Sequence, residues 1–343
     1  MQPKQQLIPG DAQAAWERAL EGLPHAFAHT WTSCAAMART TGASTWLYTW
    51  ESGDARAVCP IAERSYGGAV DVCTPYGFSG FTGRGNWSAA LGDWKQFAGN
   101  RGWVCGYLVI NPALVDSALF DPNDVRTHNE LFLWDLRRTE DELFASLSDN
   151  RRRQVRAAER SFAGIEVDSP ACRQFVLDHY NAFYESRAAR SVYQLSNATL
   201  EMLVSSPQAM LVGARGAEGI EAVSTFVYTP YVADYFAGIH APAGRTYSAA
   251  LLWRGAVELK RRGVPVLNLG GGVVPGDGIA EFKARFGTSR APLSALAQVY
   301  QRDVFVRLCA HAGADPDDRS GYFPPYRRAT APAEAPQTHS VQS

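Results

Sequence analysis

Apolar and polar residues alternate most regularly between Phe236 and Gly287. The apolar residues recur at mostly three- and four-residue spacings with charged residues between them, which predicts an amphipathic helix. They are Ala249, Leu252, Trp253, Ala256, Val257 and Leu259. Gly263 ends the predicted helix, because glycine commonly follows a helix C-terminus. The aliphatic run Val264–Leu269 then predicts a strand.

Three glycines, Gly270, Gly271 and Gly272, follow this strand. A backbone without Cβ atoms can approach a ligand closely. The basic and aromatic segment GIAEFKARFG comes next. We therefore expect the chemistry of the protein to lie at the carboxyl end of this strand.

The first part of the chain has the pattern of an α/β unit. Helical periodicity predicts helices at Asp11–Leu20, Thr32–Met37 and Trp87–Asn100. Short aliphatic and aromatic runs predict strands at Trp46–Trp50, Ala57–Arg64, Val70–Cys73, Trp103–Ile110 and Leu131–Leu136. The first two strands form a predicted hairpin, and the segment TPYGFSGFTGRG is a loop rich in glycine and aromatic residues.

The second part repeats a similar order, which suggests a duplicated fold. Thr139–Phe162 predicts one helix or a helix pair that opens with a capping box between Thr139 and Glu142. Further helices are predicted at Ala171–Arg187, Leu200–Val204 and Arg302–Ala312. Further strands are predicted at Ala209–Arg215, Ile220–Tyr228, Tyr231–Ile239 and Leu293–Tyr300.

Composition sets limits on the class of protein. A chain of 343 residues fits two domains, and 46% hydrophobic with 20% charged residues is typical of a globular protein. The formal net charge of -1 gives no overall attraction to nucleic acid or membrane, so a polyanion would need a local basic patch. No apolar run is long enough to cross a membrane and the N-terminal residues are polar, so we expect a cytoplasmic protein without membrane insertion.

Metal and disulfide chemistry are not expected. The six cysteines include no C-x-x-C pair, which argues against a zinc site and a disulfide framework. His25 and His29 have the spacing of metal ligands, but no third ligand lies near them in the sequence.

Three segments carry a resemblance to a known family. LSDNRRRQVRAAERSFAGIEV, SAALLWRGAVELKRRGVPVLNLGG and GIAEFKARFG resemble the Fem family, aminoacyl-tRNA-dependent transferases of the GNAT acyltransferase superfamily, and TPYGFSG is similar to the aromatic-glycine loop of that family. The resemblance implies an α/β (α+β) fold of two tandem GNAT-like domains, each a mixed sheet flanked by helices. We expect residues 1–138 to form the first domain, with a closing helix in 302–327 returning to it, and 139–301 to form the second. We expect the tail, 328–343, to be disordered.

The resemblance also implies a reaction, amide formation between an amine and an activated acyl group. The donor is an aminoacyl-tRNA in the Fem family and acyl-CoA in other GNAT proteins, and no further cofactor is implied. The acceptor is a cell-wall precursor or a small peptide of antibiotic biosynthesis. Two alternatives stay open: an acyl-CoA-dependent N-acyltransferase, and a module that binds tRNA or precursor without catalysis.

Two segments are candidates for binding the donor. Arg152, Arg156 and Arg160 recur every four residues and share a helix face beside Arg153, so they could neutralise phosphates of a tRNA acceptor stem. A solvated charged face is the equally supported alternative. GRTYSAALLW departs from the glycine-rich turn of acetyl-CoA enzymes, although Gly244 and Arg245 could still bind a phosphate.

Lys283 is the candidate catalytic residue. In FKARFG it matches the family lysine whose cation would stabilise a donor phosphate or the charge of the tetrahedral intermediate. Phe282 and Phe286 would exclude water, and Arg285 is a weaker candidate for the same phosphate. The alternative is a structural lysine on a strand with its stem buried.

The acceptor is expected between the two halves, near Gly270 and Gly271. Its candidate residues in the first half are Tyr76, Phe78, Phe81 and Arg84 of the aromatic-glycine loop and Asn111. The alternative for this loop is an aromatic-rich turn that packs on its own domain. Relatives have Asp-Pro where this chain has Asn111-Pro112, and an amide cannot accept a proton. Arg187 and Arg190 fall where relatives hold an arginine for the acceptor phosphate. Candidates for a base are Asp234, His240, Asp277 and Glu281, although an amine attacking an activated ester can do without one.

Overall fold

The computed structural model describes residues 3–161, 164–187 and 193–328. Within these ranges the helices are α1 (Gln13–Leu20), α2 (Trp31–Thr41), α3 (Ala89–Asn100), α4 (Glu140–Ser146), α5 (Asp149–Ser161), α6 (Pro170–Glu185), α7 (Asn197–Val204), α8 (Ser248–Arg261), α9 (Gly278–Ala284) and α10 (Arg302–His311). The strands are β1 (Lys4–Pro9), β2 (Thr45–Ser52), β3 (Ala55–Tyr66), β4 (Ala69–Cys73), β5 (Thr82–Arg84), β6 (Cys105–Ile110), β7 (Val125–Asp135), β8 (Ile165–Val167), β9 (Ala209–Arg215), β10 (Ile220–Tyr228), β11 (Ala233–His240), β12 (Val266–Asn268) and β13 (Ser289–Val299).

Packing divides the chain into two compact units. Unit 1 contains the described residues up to His128 and those from Leu293 onward, and unit 2 contains Asn129–Pro292. The division therefore falls within β7 and within β13. Apart from Arg328, the predicted disordered tail at 328–343 lies outside the described residues.

The sheet of unit 1 has the strand order β1-β2-β3-β4-β6-β13, with β5 added beside β3. β4 and β6 run parallel, and the neighbouring pairs on either side are antiparallel. α3 buries Trp94 against Tyr48, Phe81 and Trp103. These large rings remove extensive apolar surface from water and form the main core of the unit.

A buried carboxylate ties the C-terminal segment of unit 1 to its sheet. Asp71 of β4 accepts a hydrogen bond from Arg64 Nε at 2.7 Å, from the Tyr326 hydroxyl at 2.9 Å and from Arg327 Nε at 2.7 Å. Its side chain is fully buried. The guanidinium groups offset the cost of burying the carboxylate, and they would lose their counter-charge without it.

We expect Asp71→Asn to lower the free energy of unfolding by about 3 kcal/mol, because the arginines would keep their buried positions without a counter-charge. Urea unfolding of wild type and variant measures this difference. Asp317→Asn, which removes an exposed partner of Arg302, is the matched control and should leave the transition unchanged. Equal midpoints for all three proteins would contradict the role given to Asp71.

The sheet of unit 2 has the strand order β7-β12-β11-β10-β9-β8. β11 and β12 run parallel, and the other neighbouring pairs are antiparallel. The amphipathic helix α8 packs on this sheet, with Gly255 so close to the ring of Phe226 that a Cβ atom there would lie 2.1 Å from it. Each unit thus has a mixed sheet flanked by helices, and the predicted fold class is confirmed.

Most predicted elements are confirmed, and two differences are informative. The predicted helix after Thr139 is a pair, α4 and α5, and the capping box between Thr139 and Glu142 forms. Lys283 lies in the last turn of helix α9 rather than on a strand, so the strand alternative for Lys283 is wrong. The short strands β1, β5 and β8 were not predicted. Among the described residues, none of the helices has the length and apolar composition that crossing a membrane requires.

Candidate active site at the carboxyl ends of β11 and β12

The two parallel strands of unit 2 separate soon after they start. β11 and β12 pair only at Ala233 with Leu267 and at Asp234 with Asn268. Beyond this point β11 stays paired with β10 as far as His240, and a bulge interrupts its register at Phe236. The segment after β12 follows β7 instead, through hydrogen bonds at Leu269 and Gly270. The carboxyl ends of β11 and β12 therefore diverge, with Asp234 and Asn268 where the divergence begins.

The glycine segment after β12 is held in one conformation by three polar side chains. Asn268 Oδ1 accepts from the Gly270 amide at 2.9 Å, and Asn129 Nδ2 donates to the Gly272 carbonyl at 2.9 Å. Asp277, the N-cap of α9, accepts from the amides of Val273 (2.7 Å), Val274 (3.2 Å) and Ala280 (2.8 Å). At Gly271 a Cβ atom would lie 2.5 Å from the Glu130 carbonyl oxygen, so a side chain does not fit there.

Lys283 is buried against this segment. It is 9% exposed, and its Nζ donates a hydrogen bond of 2.7 Å to the Gly271 carbonyl. A Cβ atom on Gly270 would lie 3.2 Å from the same Nζ. Burial lowers the pKa of Lys283 to about 8, although the carboxylate of Asp277 acts in the opposite direction. Lys283, the predicted cation, is therefore held beside the glycines that follow β12, as predicted.

Two aromatic rings and a second cation form a cluster at the C-terminal end of α9. The rings of Phe282 and Phe286 lie 5.3 Å apart, and Phe286 is fully buried. The guanidinium of Arg151 on α5 lies 4.2 Å from the centroid of Phe282. Arg151 is 5% exposed and its Nε has no hydrogen-bond partner, and burial, followed by repulsion from Arg285, lowers its pKa to about 10. Arg151 was not predicted to lie beside Phe282 and Phe286.

The basic stripe of α5 divides into engaged and exposed arginines. Arg152 donates to the carbonyls of Ala145 at 2.7 Å and Leu147 at 2.6 Å and pairs with Asp149, so it caps the end of α4. Arg153, Arg156 and Arg160 are exposed. The side-chain atoms of Arg156 also lie over Phe144, at 5.1 Å from the ring centroid.

Gly244 and Arg245 lie in a short 3-10 helix, Ala243–Tyr247, ahead of α8. The Gly244 amide donates to the Ala241 carbonyl at 3.0 Å, which leaves it unavailable to a phosphate. Arg245 lies close enough to Arg187 and His240 to lower the pKa of both, in each case after the larger effect of burial. These three groups form a basic cluster at the end of β11.

Arg187 lies over the ring of Phe183, at 3.5 Å from its centroid, and donates to the Phe183 carbonyl and to Ser186 Oγ. His240 also contacts the ring of Phe183, at 5.1 Å between centroids. Arg190, the other arginine predicted for the acceptor phosphate, lies outside the described residues.

The remaining predicted acceptor residues belong to unit 1. Asn111 is buried and donates from Nδ2 to the Phe78 carbonyl at 2.8 Å, and its Oδ1 accepts from the Ala113 amide at 3.0 Å. Tyr76 and Phe78 are half-buried and Arg84 is exposed. Phe81 packs in the core rather than on a binding wall, which corrects that part of the prediction. Asn111 thus fixes the aromatic-glycine loop of its own unit.

A cavity of about 280 Å³ lies beside α9 and was not predicted. Its apolar lining includes Phe132, Ala280 and Ala284. Two ion pairs line it as well: Arg285 with Glu281 at 3.2 Å and Arg290 with Glu130 at 3.2 Å. Arg285, predicted to bind a donor phosphate, is thus partnered by a carboxylate. Among residues 3–161, 164–187 and 193–328, no three His, Cys, Asp or Glu side chains are arranged to hold a metal ion.

Comparison with known proteins identifies the fold of this chain. No family model and no curated protein matches the sequence. Among solved structures, FemX superposes with a TM-score of 0.64 at 10% identity, over 89% of this chain and 99% of FemX. A conserved protein of unknown function from Bacteroides thetaiotaomicron gives 0.54 at 10% identity, over 78% and 89%. The C-terminal domain of a putative lysylphosphatidylglycerol synthetase from Agrobacterium fabrum gives 0.51 at 16% identity, over 77% and 86%. The chain has the fold of FemX, so the predicted Fem-like fold is confirmed.

The lowered pKa of Lys283 predicts a specific pH dependence of stability. The folded state binds fewer protons than the unfolded chain between about pH 8 and pH 10.5, so this residue makes stability rise with pH across that window. We expect the free energy of unfolding of wild type, relative to Lys283→Met, to rise by about 3 kcal/mol between neutral pH and pH 10.5.

Urea unfolding at several pH values measures this difference. Lys260→Met, which removes a lysine that donates to the Leu136 carbonyl at 3.1 Å, is the control for loss of a lysine-to-carbonyl hydrogen bond. A difference between wild type and Lys283→Met that does not change with pH would show that the ammonium is not desolvated.

Proposed function

We propose that the protein is an acyltransferase that forms an amide between the amino acid of an aminoacyl-tRNA and the amine of a peptide-like acceptor. The observation that carries this proposal is the buried ammonium of Lys283, fixed on the Gly271 carbonyl where β11 and β12 diverge. A chain with the FemX fold and such a cation has the parts that acyl transfer requires.

Lys283 stabilises negative charge. When an amine attacks the ester carbonyl, the carbonyl oxygen becomes an oxyanion, and a fixed ammonium in a site of low dielectric stabilises it more than water does. Phe282 and Phe286 exclude water and so strengthen this interaction. Because Nζ keeps one donor on the Gly271 carbonyl, two N–H groups remain for the oxyanion or for a donor phosphate.

The exposed arginines of α5 support an RNA donor. Arg153, Arg156 and Arg160 place positive charge on one exposed helix in a chain whose net charge is -1. Such a local patch is what a protein without overall positive charge needs in order to bind phosphates. Arg152 acts here as a helix cap that holds α5 against α4, so its contribution to RNA binding is smaller.

The basic cluster of Arg187, His240 and Arg245 supports an anionic acceptor. Arginine recognises phosphate through paired N–H groups, and the ring of Phe183 orients Arg187. The name of the Agrobacterium fabrum neighbour describes the synthesis of an aminoacylated phospholipid. A phosphate-bearing precursor with a free amine, from the cell wall or from antibiotic biosynthesis, fits this cluster.

The test is transfer from total tRNA charged with radiolabelled amino acids to cell-wall and peptide precursors, with and without ribonuclease. The proposal expects labelled amide that disappears after ribonuclease treatment. Transfer that resists ribonuclease and requires acyl-CoA would favour the acyl-CoA alternative. Binding of tRNA or precursor without any transfer would favour the non-catalytic alternative.

Lys283→Ala should reduce the rate of transfer by at least about 100-fold, because it removes the cation that stabilises the oxyanion. Single-turnover transfer rates measure this effect. Lys260→Ala, also in unit 2, is the matched control and should retain wild-type activity. A Lys283→Ala protein with the wild-type rate would exclude the assigned role.

Replacing Arg153, Arg156 and Arg160 together with Gln should weaken tRNA binding and reduce the slope of log K against log salt concentration by about 2. Filter binding at several salt concentrations measures both quantities. Replacing the exposed helix residues Arg39, Arg302 and Arg307 with Gln makes the same charge change in unit 1 and is the control. An equal loss in both triple variants would show that α5 has no special role.

A further inference from the structure

One buried carboxylate of unit 2 has no counter-charge among the described residues. Asp234 is 6% exposed, and its Oδ1 accepts a hydrogen bond of 2.9 Å from Asn268 Nδ2. Asn268 is its side-chain partner among the residues that the structure describes. Burying a carboxylate without a cation lowers the stability of a protein. The position of Asp234 therefore has a reason other than stability.

The strand register places a second polar group on the same side of the sheet. Asp234 pairs with Val227, and Thr225 lies two residues from Val227, so both side chains project from the same face. Thr225 Oγ1 is buried and has no hydrogen-bond partner. The ring of Phe226 projects from the opposite face, where it packs against Gly255 of α8. The face of Asp234 therefore carries two polar groups with unused hydrogen-bonding capacity.

Short contacts connect Asp234 to the cation of the site. Asn268 bonds to Asp234 with its Nδ2 and to the Gly270 amide with its Oδ1, both at 2.9 Å. The next residue, Gly271, accepts the hydrogen bond of Lys283. The carboxylate of Asp234 on β11 and the ammonium of Lys283 on α9 thus both hydrogen-bond to the short segment 268–271.

We propose that Asp234 is the catalytic residue that takes a proton from the acceptor amine, with Asn268 as its positioning residue and Thr225 as a second hydrogen-bonding group for the amine. This inference rests on the proposed acyl transfer. The position at which Fem-family relatives have Asp-Pro holds Asn111 here, whose amide is engaged with the Phe78 carbonyl.

The proposed reaction begins at the acceptor amine. The acceptor ammonium gives one proton to the Asp234 carboxylate, and the neutral amine attacks the acyl carbon with its lone pair, forming the C–N bond. The carbonyl electrons move to the oxygen, which Lys283 stabilises. The C–O bond to the ribose then breaks, and the second nitrogen proton goes to the leaving oxygen, which departs as a hydroxyl. Asp234 finally releases its proton to solvent.

Burial raises the pKa of Asp234 to about 7, and the hydrogen bond from Asn268 acts in the opposite direction. A base with a pKa near neutrality is suited to remove a proton at physiological pH. Among the titratable groups of the elements packed against β11, Tyr180 and Tyr184 of α6 lie next to Phe236 and Tyr235, and the 3-10 helix contributes Arg245 and Tyr247. Val227 and Thr225 of β10 and Asn268 of β12, its strand neighbours, do not titrate.

The test compares two acceptors with wild type and Asp234→Asn. A peptide amine is protonated at neutral pH and needs the base, whereas hydroxylamine is already unprotonated and does not. We expect Asp234→Asn to slow transfer to the amine by about 100-fold or more and to leave transfer to hydroxylamine, after subtraction of the uncatalysed rate, within about threefold of wild type. The wild-type rate with the amine should fall below about pH 7, and the variant should lose this dependence.

A second variant keeps the test decisive if Asp234→Asn does not fold. Asn268→Ala removes the hydrogen bond that favours the charged carboxylate, so the acid limb of the pH profile should move to higher pH. Equal losses with both acceptors, or an unchanged pH profile in both variants, would overturn the assignment of Asp234. Failure of wild type to use either acceptor would overturn the proposed acyl transfer and this inference with it.

Discussion

The hydrogen bond from the ammonium of Lys283 to the carbonyl of Gly271 is the interaction on which the site of unit 2 depends. A lysine gives up much of its hydration when it is buried, so the protein must supply a replacement acceptor at a fixed position. Gly271 supplies it because it has no Cβ atom and can lie against the Glu130 carbonyl. Asn268 and Asp277 hold the flanking backbone. The buried ammonium of Lys283 has given up much of its hydration. In the proposed reaction, this is the physical reason why it can act on a substrate anion.

The divergence of two parallel strands explains how this site forms. β11 continues with β10 while the chain after β12 continues with β7, so the backbone itself opens the sheet. Asp234, at the start of the divergence, is buried with a hydrogen bond from Asn268, and Thr225 Oγ1 on the neighbouring strand β10 is buried without a hydrogen-bond partner. Elsewhere in the protein a buried carboxylate is neutralised: Asp71 has two arginines and a tyrosine. Asp71 thus has a structural role, whereas the burial of Asp234 without a cation is consistent with the chemical role proposed for it.

The sequence predicted the elements with strong periodicity and the residue types with unusual chemistry. α8 and the capping box at Thr139 follow from local spacing, which the folded structure retains, whereas Lys283 was indicated by the family resemblance. Contacts across the sheet could not be predicted, because nothing local links Asp234 to Asn268 or Arg151 to Phe282. The burial of Phe81 and the engagement of Arg152 with α4 were also hidden, since both depend on how neighbouring elements pack.

The most direct test of the account is the pH titration of Lys283 itself. In protein labelled with 13C at the lysine ε position, the resonance of Lys283 is assigned by its absence in Lys283→Met. The account predicts a midpoint near pH 8, because burial disfavours the charged ammonium. A midpoint at the ordinary lysine value of about 10.4 would contradict it, because the ammonium would then be fully hydrated and unable to act as a preorganised cation.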